Sequence, residues 1–218
     1  MLLSLLAVAG LAGGFIKIAG EVHEGETSAF DNAILYWFRN PQSPTGLIGP
    51  DWLVEAARDF TSLGSYALLT TLVVLVLAYL LLDRRWFEAT HLSVAVVSGV
   101  IVSNLLKVGF NRPRPVFDHA PEVFSAGFPS GHATMSGVVF LTLGAILALH
   151  EPRRSLKLLF LGAAVFLTLL VGCTRIYLQV HFPTDVVAGW CLGVGWALSW
   201  VLIAQVARKR LTLSLIHI

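Results

Sequence analysis

Residues 129–151 read PSGHATMSGVVFLTLGAILALHE, a Ser-Gly-His opening followed by an apolar run with no Asp, Glu, Lys or Arg before Glu151. A helix needs about 20 mostly apolar residues to cross the hydrocarbon core of a bilayer. The stretch 132–150 meets that length, and so do windows at about 1–20, 64–82, 90–109, 155–173 and 185–206. Composition agrees, because 56% of the 218 residues are hydrophobic and 13% are charged, whereas a soluble domain is about one quarter charged. The first window carries Lys17 but no basic leader and no small-residue cleavage site. It reads as a membrane helix rather than a removed signal peptide. No internal repeat or low-complexity linker divides the chain. The expected fold is therefore all-α: a single six-transmembrane-helix bundle over 1–210, with a tail at 211–218 that fits no element.

Charge placement orients the bundle. Arg84 and Arg85, then Arg153, Arg154 and Lys157, then Arg208, Lys209 and Arg210 all fall on one side of a six-helix zigzag. Lys and Arg accumulate in short cytoplasmic loops, so that side and both termini are assigned to the cytoplasm. The other side holds the longer segments 21–63, 110–131 and 174–184. In the first of these, Phe30, Ile34, Trp37 and Phe38 recur at helical spacing. So do Trp52, Leu53, Ala56, Ala57 and Phe60 after Pro50, with Asp51 as the expected N-cap. Short interfacial helices between the first and second spans are expected, either lying in the interface or packed over the bundle.

Three polar clusters fall on this outer side: Lys107 through Arg112, Pro113, Arg114 and Pro115; Pro129-Ser130-Gly131-His132; and Thr174-Arg175 followed by His181-Phe-Pro-Thr-Asp185. One helix down and one back up separate His132 from Arg175, so the clusters converge on one face. Cations near membrane depth are costly, and Lys107, Arg114 and Arg175 together call for an anion. Phosphate suits them, since arginine offers paired donors and lysine a point charge. Ser130 is the expected N-cap of the fourth span, where Gly131 lets the backbone approach closely and exposed N–H groups bind phosphate oxygens.

Asp185 is the only acidic residue after Glu151. A carboxylate there can accept the Nδ1–H of His181 and leave its Nε2 as a nucleophile. His181 would precede the sixth span, with Pro183 and Asp185 in its first turn. His132 is the available group to protonate the leaving oxygen. Two histidines, one aspartate and a surplus of cations form a poor metal site, so neither metal nor cofactor is expected. Cys173 and Cys191 read as small packing residues, and His23, His91, His119, His150 and His217 as incidental.

The three clusters together resemble the signature of the type 2 phosphatidic acid phosphatase (PAP2) superfamily. That signature joins Lys–six residues–Arg-Pro, Pro-Ser-Gly-His, and Ser-Arg–five residues–His–three residues–Asp. Lys107 to Pro115, Pro129 to His132, and Arg175, His181 and Asp185 match it in order and spacing. The one departure is Thr174, where the family usually has serine. The resemblance implies a phosphohistidine intermediate on His181, metal independence, and phosphate binding by Lys107, Arg114, Ser130, Gly131, His132 and Arg175, with Asp185 orienting the nucleophile. It also implies a bacterial inner-membrane enzyme whose site faces the periplasm or exterior and acts on phosphatidylglycerophosphate, phosphatidic acid, undecaprenyl diphosphate or a lipid A phosphate. The expected partners are a lipid phosphate and the bilayer, with no nucleic acid. Alternatives are a lipid-to-lipid phosphotransferase using the same site and, from another class, a lipid-phosphate or anion transporter.

Overall fold

The computed structural model describes residues 1–116 and 125–216, with side chains placed up to Arg210. Eight helices order the described chain: α1 (Leu2–Glu24), α2 (Ser28–Trp37), α3 (Asp51–Ser62), α4 (Tyr66–Leu82), α5 (Trp86–Phe110), α6 (Gly131–His150), α7 (Arg154–Tyr177) and α8 (Pro183–Ile216). The chain is an integral membrane protein. Five of these helices are long and apolar enough to cross a bilayer, and a sixth span arises if α3 and α4, bent by 45° at their junction, are counted as one. The expected windows fall on α1 and α4 to α8. The last helix runs further than the expected limit of 206, with its backbone helical to Ile216.

The opening stretch of sequence forms the centre of the bundle. In α6, 67% of the spanning window is buried, against 33% or less in α1, α5, α7 and α8. It contacts α4, α5, α7 and α8, while α1 packs on α8 and α3 on α7. Between membrane helices the hydrophobic effect supplies little attraction, so close packing and internal hydrogen bonds hold the bundle. Small residues provide the packing. A Cβ at Gly193 of α8 would lie 2.4 Å from the Thr134 carbonyl oxygen of α6, and one at Gly189 would lie 2.9 Å from that of Ser130. The Gly189/Gly193 pair therefore seats α8 on α6 inside the bundle. Two indoles add cross-helix bonds, Trp190 Nε1 donating to the Thr168 carbonyl at 3.1 Å and Trp196 Nε1 to that of Ala95 at 3.2 Å.

The interfacial helices face the other way from a soluble amphipathic helix. In α2, Phe30 and Trp37 point outward while Asp31 and Leu35 are buried; in α3, Trp52 and Phe60 are exposed while Val54 and Ala57 are buried. The surrounding solvent at this depth is lipid and headgroup, which accommodates aromatic rings and leaves the protein side to polar bonds. Two details of the sequence reading change. Pro50 rather than Asp51 occupies the N-cap of α3. Cys173 is exposed rather than packed inside, because its apolar surroundings on α7 are the bilayer face.

Candidate active site

The ends of α1, α5 and α7 and the starts of α6 and α8 meet at one end of the bundle, opposite the end bearing Arg84, Arg85, Arg153, Arg154 and Arg208. There the three sequence clusters converge. Ser130 caps α6 as expected, its Oγ accepting from the Ala133 N–H at 3.5 Å. The Ser130 N–H donates to the Asp185 carbonyl at 2.9 Å, which ties the start of α6 to the first turn of α8. Phe128, fully buried between the rings of Phe15 and Phe110 at 5.9 and 4.7 Å, anchors the strand of chain that enters α6.

His181 lies in the short turn between α7 and α8 and is completely buried, as is Asp185. Nδ1 of His181 faces Asp185 Oδ2 at 3.3 Å, and the same oxygen accepts the Phe182 N–H at 3.0 Å. Nε2 faces Arg114 Nη1 at 2.8 Å. A guanidinium has only donors, so Nε2 is the ring's acceptor and the proton of the neutral ring sits on Nδ1. This is the tautomer that leaves a lone pair on Nε2. Burial, followed by the positive charges of Arg114, Arg175 and Lys107, holds the His181 pKa well below that of an ordinary histidine, with a backbone hydrogen bond at Gly127 working the other way. The imidazole is neutral near pH 7.

The cations surround it with donors to spare. Lys107, in the last turn of α5, donates to the carbonyls of Ala126 and Pro129, both at 2.8 Å, and an ammonium has three protons. Arg114 is braced by the Ser125 carbonyl and hydroxyl at 2.8 and 2.9 Å and by the Val180 carbonyl at 3.0 Å. Arg175 donates from Nη1 to Thr61 at 3.2 Å, while its Nε–H is buried without an acceptor among the described residues. A buried donor with no protein partner is rare and is best satisfied by a ligand. Among the described residues, none of these three cations is paired with a carboxylate. The Gly131 position sits against Lys107 and Tyr66, where an added Cβ would come within 3.3 Å of Lys107 Cε and 3.1 Å of the Tyr66 hydroxyl. His132 projects beside Gly64 and lies within reach of the charges of Arg175, Arg114 and Lys107 and of the His181 ring. Thr174 turns its hydroxyl into its own helix, donating to the Val171 carbonyl at 2.7 Å.

Sequence reasoning did not single out Arg112, Asp31 or Thr184. Arg112 donates to Asp185 Oδ1 at 2.6 Å and to Asp31 Oδ2 at 2.8 Å. Asp31 in turn accepts from the Thr184 N–H and hydroxyl at 3.0 and 2.7 Å. The available signal was a carboxylate inside the apolar stretch of α2, next to Phe30. Of the histidines read as incidental, His150 pairs with Glu88 at the basic end. His91 lies in that same region, His23 lies in the last turn of α1, and His119 and His217 fall outside the described residues.

A helical membrane bundle with a buried histidine ringed by cations at one end has the geometry of an anion site. The PAP2 superfamily model matches residues 88–210, and the chain belongs to that superfamily. It is 29% identical over 182 residues to phosphatidylglycerophosphatase B of Bacillus subtilis, covering 83% of this chain and 86% of that one. A lipid A 1-phosphatase of Rhizobium etli is 36% identical over 121 residues, which cover 51% of this chain and 47% of that protein. Among solved structures, the transmembrane PAP2-type phosphatidylglycerolphosphate phosphatase of Bacillus subtilis superposes with a TM-score of 0.79 at 28% identity, over 91% of this chain and 96% of that chain.

Proposed function

We propose that the protein hydrolyses the phosphate or diphosphate of a membrane lipid through a phosphohistidine on His181. The observation that carries the reading is the His181 ring itself: Nδ1 toward Asp185 at 3.3 Å, Nε2 toward Arg114 at 2.8 Å, with the cations of Lys107 and Arg175 alongside. A phosphoryl group entering the site takes the place of the ring at the Arg114 guanidinium and collects the free donors of Lys107 and Arg175, with Ser130 and Gly131 at the start of α6 behind it. The Nε2 lone pair then forms a bond to phosphorus as the bond to the leaving oxygen breaks, and His132 gives that oxygen its proton. Asp185 stabilises the positive ring through Nδ1–H. In the second half, His132 takes a proton from water, the water oxygen bonds to phosphorus, and the P–N bond breaks to release inorganic phosphate and neutral His181. Charge developing on the phosphoryl oxygens is met throughout by cations already in place.

The donor set supports a reaction without metal. Among the described residues, the carboxylates at the site are Asp31 and Asp185, both paired with Arg112, and the other charged groups there are cations and imidazoles. Phosphatidylglycerophosphate is the first lipid to test, because the phosphatidylglycerophosphatase of Bacillus subtilis matches over most of both chains. Basic residues at the far end of the bundle support an orientation with that end and both termini in the cytoplasm and the site toward the periplasm or exterior of a bacterial inner membrane. The test is release of inorganic phosphate from purified lipid phosphates in detergent with excess chelator, comparing wild type with His181→Ala. Loss of turnover on chelation overturns the metal-free reaction, and full turnover by the variant overturns the nucleophile. Transfer of label to a second lipid in place of phosphate release would show a transferase.

A further inference from the structure

We propose that Asp31 of α2 and Arg112 form a positioning relay that holds the Asp185 carboxylate on the nucleophilic histidine. The inference rests on His181 being the nucleophile. Asp185 must present one particular oxygen to Nδ1, yet a carboxylate rotates about its terminal bond with little resistance. Its Oδ2 faces His181 and the Phe182 N–H, and its Oδ1 is fixed by Arg112 Nη1 at 2.6 Å. The guanidinium therefore sets the rotation. Arg112 is itself fixed at its other nitrogen, where Nη2 donates to Asp31 Oδ2 at 2.8 Å and to Thr27 at 3.2 Å, and its plane covers the Phe182 ring at 4.5 Å.

Asp31 does more than neutralise the arginine. It accepts the backbone N–H and the hydroxyl of Thr184, so a carboxylate from a distant segment caps the start of α8. The first N–H groups of a helix lack partners within the helix and carry partial positive charge, which a carboxylate satisfies on both counts. Asp31 and Asp185 have no exposed side-chain surface and the Arg112 side chain is 12% exposed, so the interactions are little screened by water. Asp31 lies outside residues 88–210, the stretch that matches the family. The opposite face of its helix carries Phe30, Tyr36 and Trp37 outward, and Gln179 donates to the Leu35 carbonyl at 2.7 Å to dock the helix over the His181 turn. The membrane-facing helix thereby becomes part of the nucleophile's support.

Asp31→Asn keeps the shape and one acceptor but removes the charge that holds Arg112. Displacing a supporting group of this kind lowers turnover by about 10- to 100-fold. The expected result is that loss in kcat, with KM for the lipid and inhibition by inorganic phosphate within about twofold of wild type, because Lys107, Arg114 and Arg175 are untouched. Arg112→Gln should show the same split, and the double variant should lose no more than the worse single, since both act through one chain of contacts. Wild-type kcat in Asp31→Asn, additive losses in the double variant, or a fall in phosphate affinity and melting temperature in step with kcat would each overturn the relay. An active His181→Ala would remove the nucleophile itself, whereas an inactive His181→Ala beside a fully active Asp31→Asn would sink the relay alone.

Discussion

Replacement of Gly193 by alanine tests whether the α6–α8 contact sets the active-site geometry. The new Cβ would stand 2.4 Å from the Thr134 carbonyl oxygen, 3.1 Å from its carbon and 3.2 Å from its Cα. These are backbone atoms in a helix and cannot turn aside. Ordinary contact begins at 3.4 Å, so the helices must part by about 1 Å. Thr134 is bonded to the Ser130 carbonyl through both its N–H and its hydroxyl, each at 2.9 Å, so the displacement reaches Ser130, Gly131 and His132 directly. Overpacking of this kind costs about 1–3 kcal/mol in stability, and a 1 Å error in placing catalytic groups costs on the order of 10²-fold in rate. Turnover and melting temperature in detergent should both fall. Gly162→Ala, where a Cβ meets nothing within 4 Å, and Gly195→Ala, where the nearest atom is Leu11 Cβ at 3.5 Å, should leave both unchanged. Wild-type turnover in Gly193→Ala, or equal losses in the two controls, would refute the argument.

Asp185→Asn should lower kcat by about 10²- to 10⁴-fold, read in the phosphate-release assay, because an amide can hold the His181 ring in the wrong tautomer. Arg114→Lys should raise KM and lower kcat/KM by at least about tenfold, since a point charge cannot reproduce the paired donors or the bracing on Ser125. The depressed pKa of His181 keeps it unprotonated in the folded state where the unfolded chain takes up a proton. Stability should therefore fall as pH drops below about 6.5, the ordinary histidine value, and the acid limb of kcat/KM attributable to His181 should lie below that value. A melting temperature flat between pH 7.5 and 5.5, scanned in detergent, would contradict this, with the range chosen to straddle about 6.5.

The spans and the Ser130 cap were legible because bilayer thickness and helix termini impose local rules that one stretch of sequence obeys by itself. Residues 129–151 carry both, and Ser130, Pro183 and the α6 boundaries fall where those rules put them. The facing of α2 and α3 was not legible. A helical stripe of Phe30, Ile34 and Trp37 has the same spacing whether it faces a protein core or a lipid interface, and only the neighbours decide. With the stripe turned outward, the buried face of α2 became Asp31 and Leu35.

That inversion also explains what could be read of the site and what could not. Lys107, Ser130, His132, Arg175, His181 and Asp185 are found from short spacings because each lies within a turn of a helix end, and the helices deliver those ends to one place. Asp31 and Arg112 meet across 81 positions of chain, a pairing with no periodicity to announce it. Arg112 and Arg114 stand two residues apart, so spacing alone does not say which of them faces the anion. The structure separates them by partner. Arg114 turns toward Nε2 of His181, and Arg112 turns away to two carboxylates. Of these two arginines one is thus left for the anion while the other holds the carboxylates behind the nucleophile, so the phosphate pocket and the nucleophile's support share a single stretch of chain.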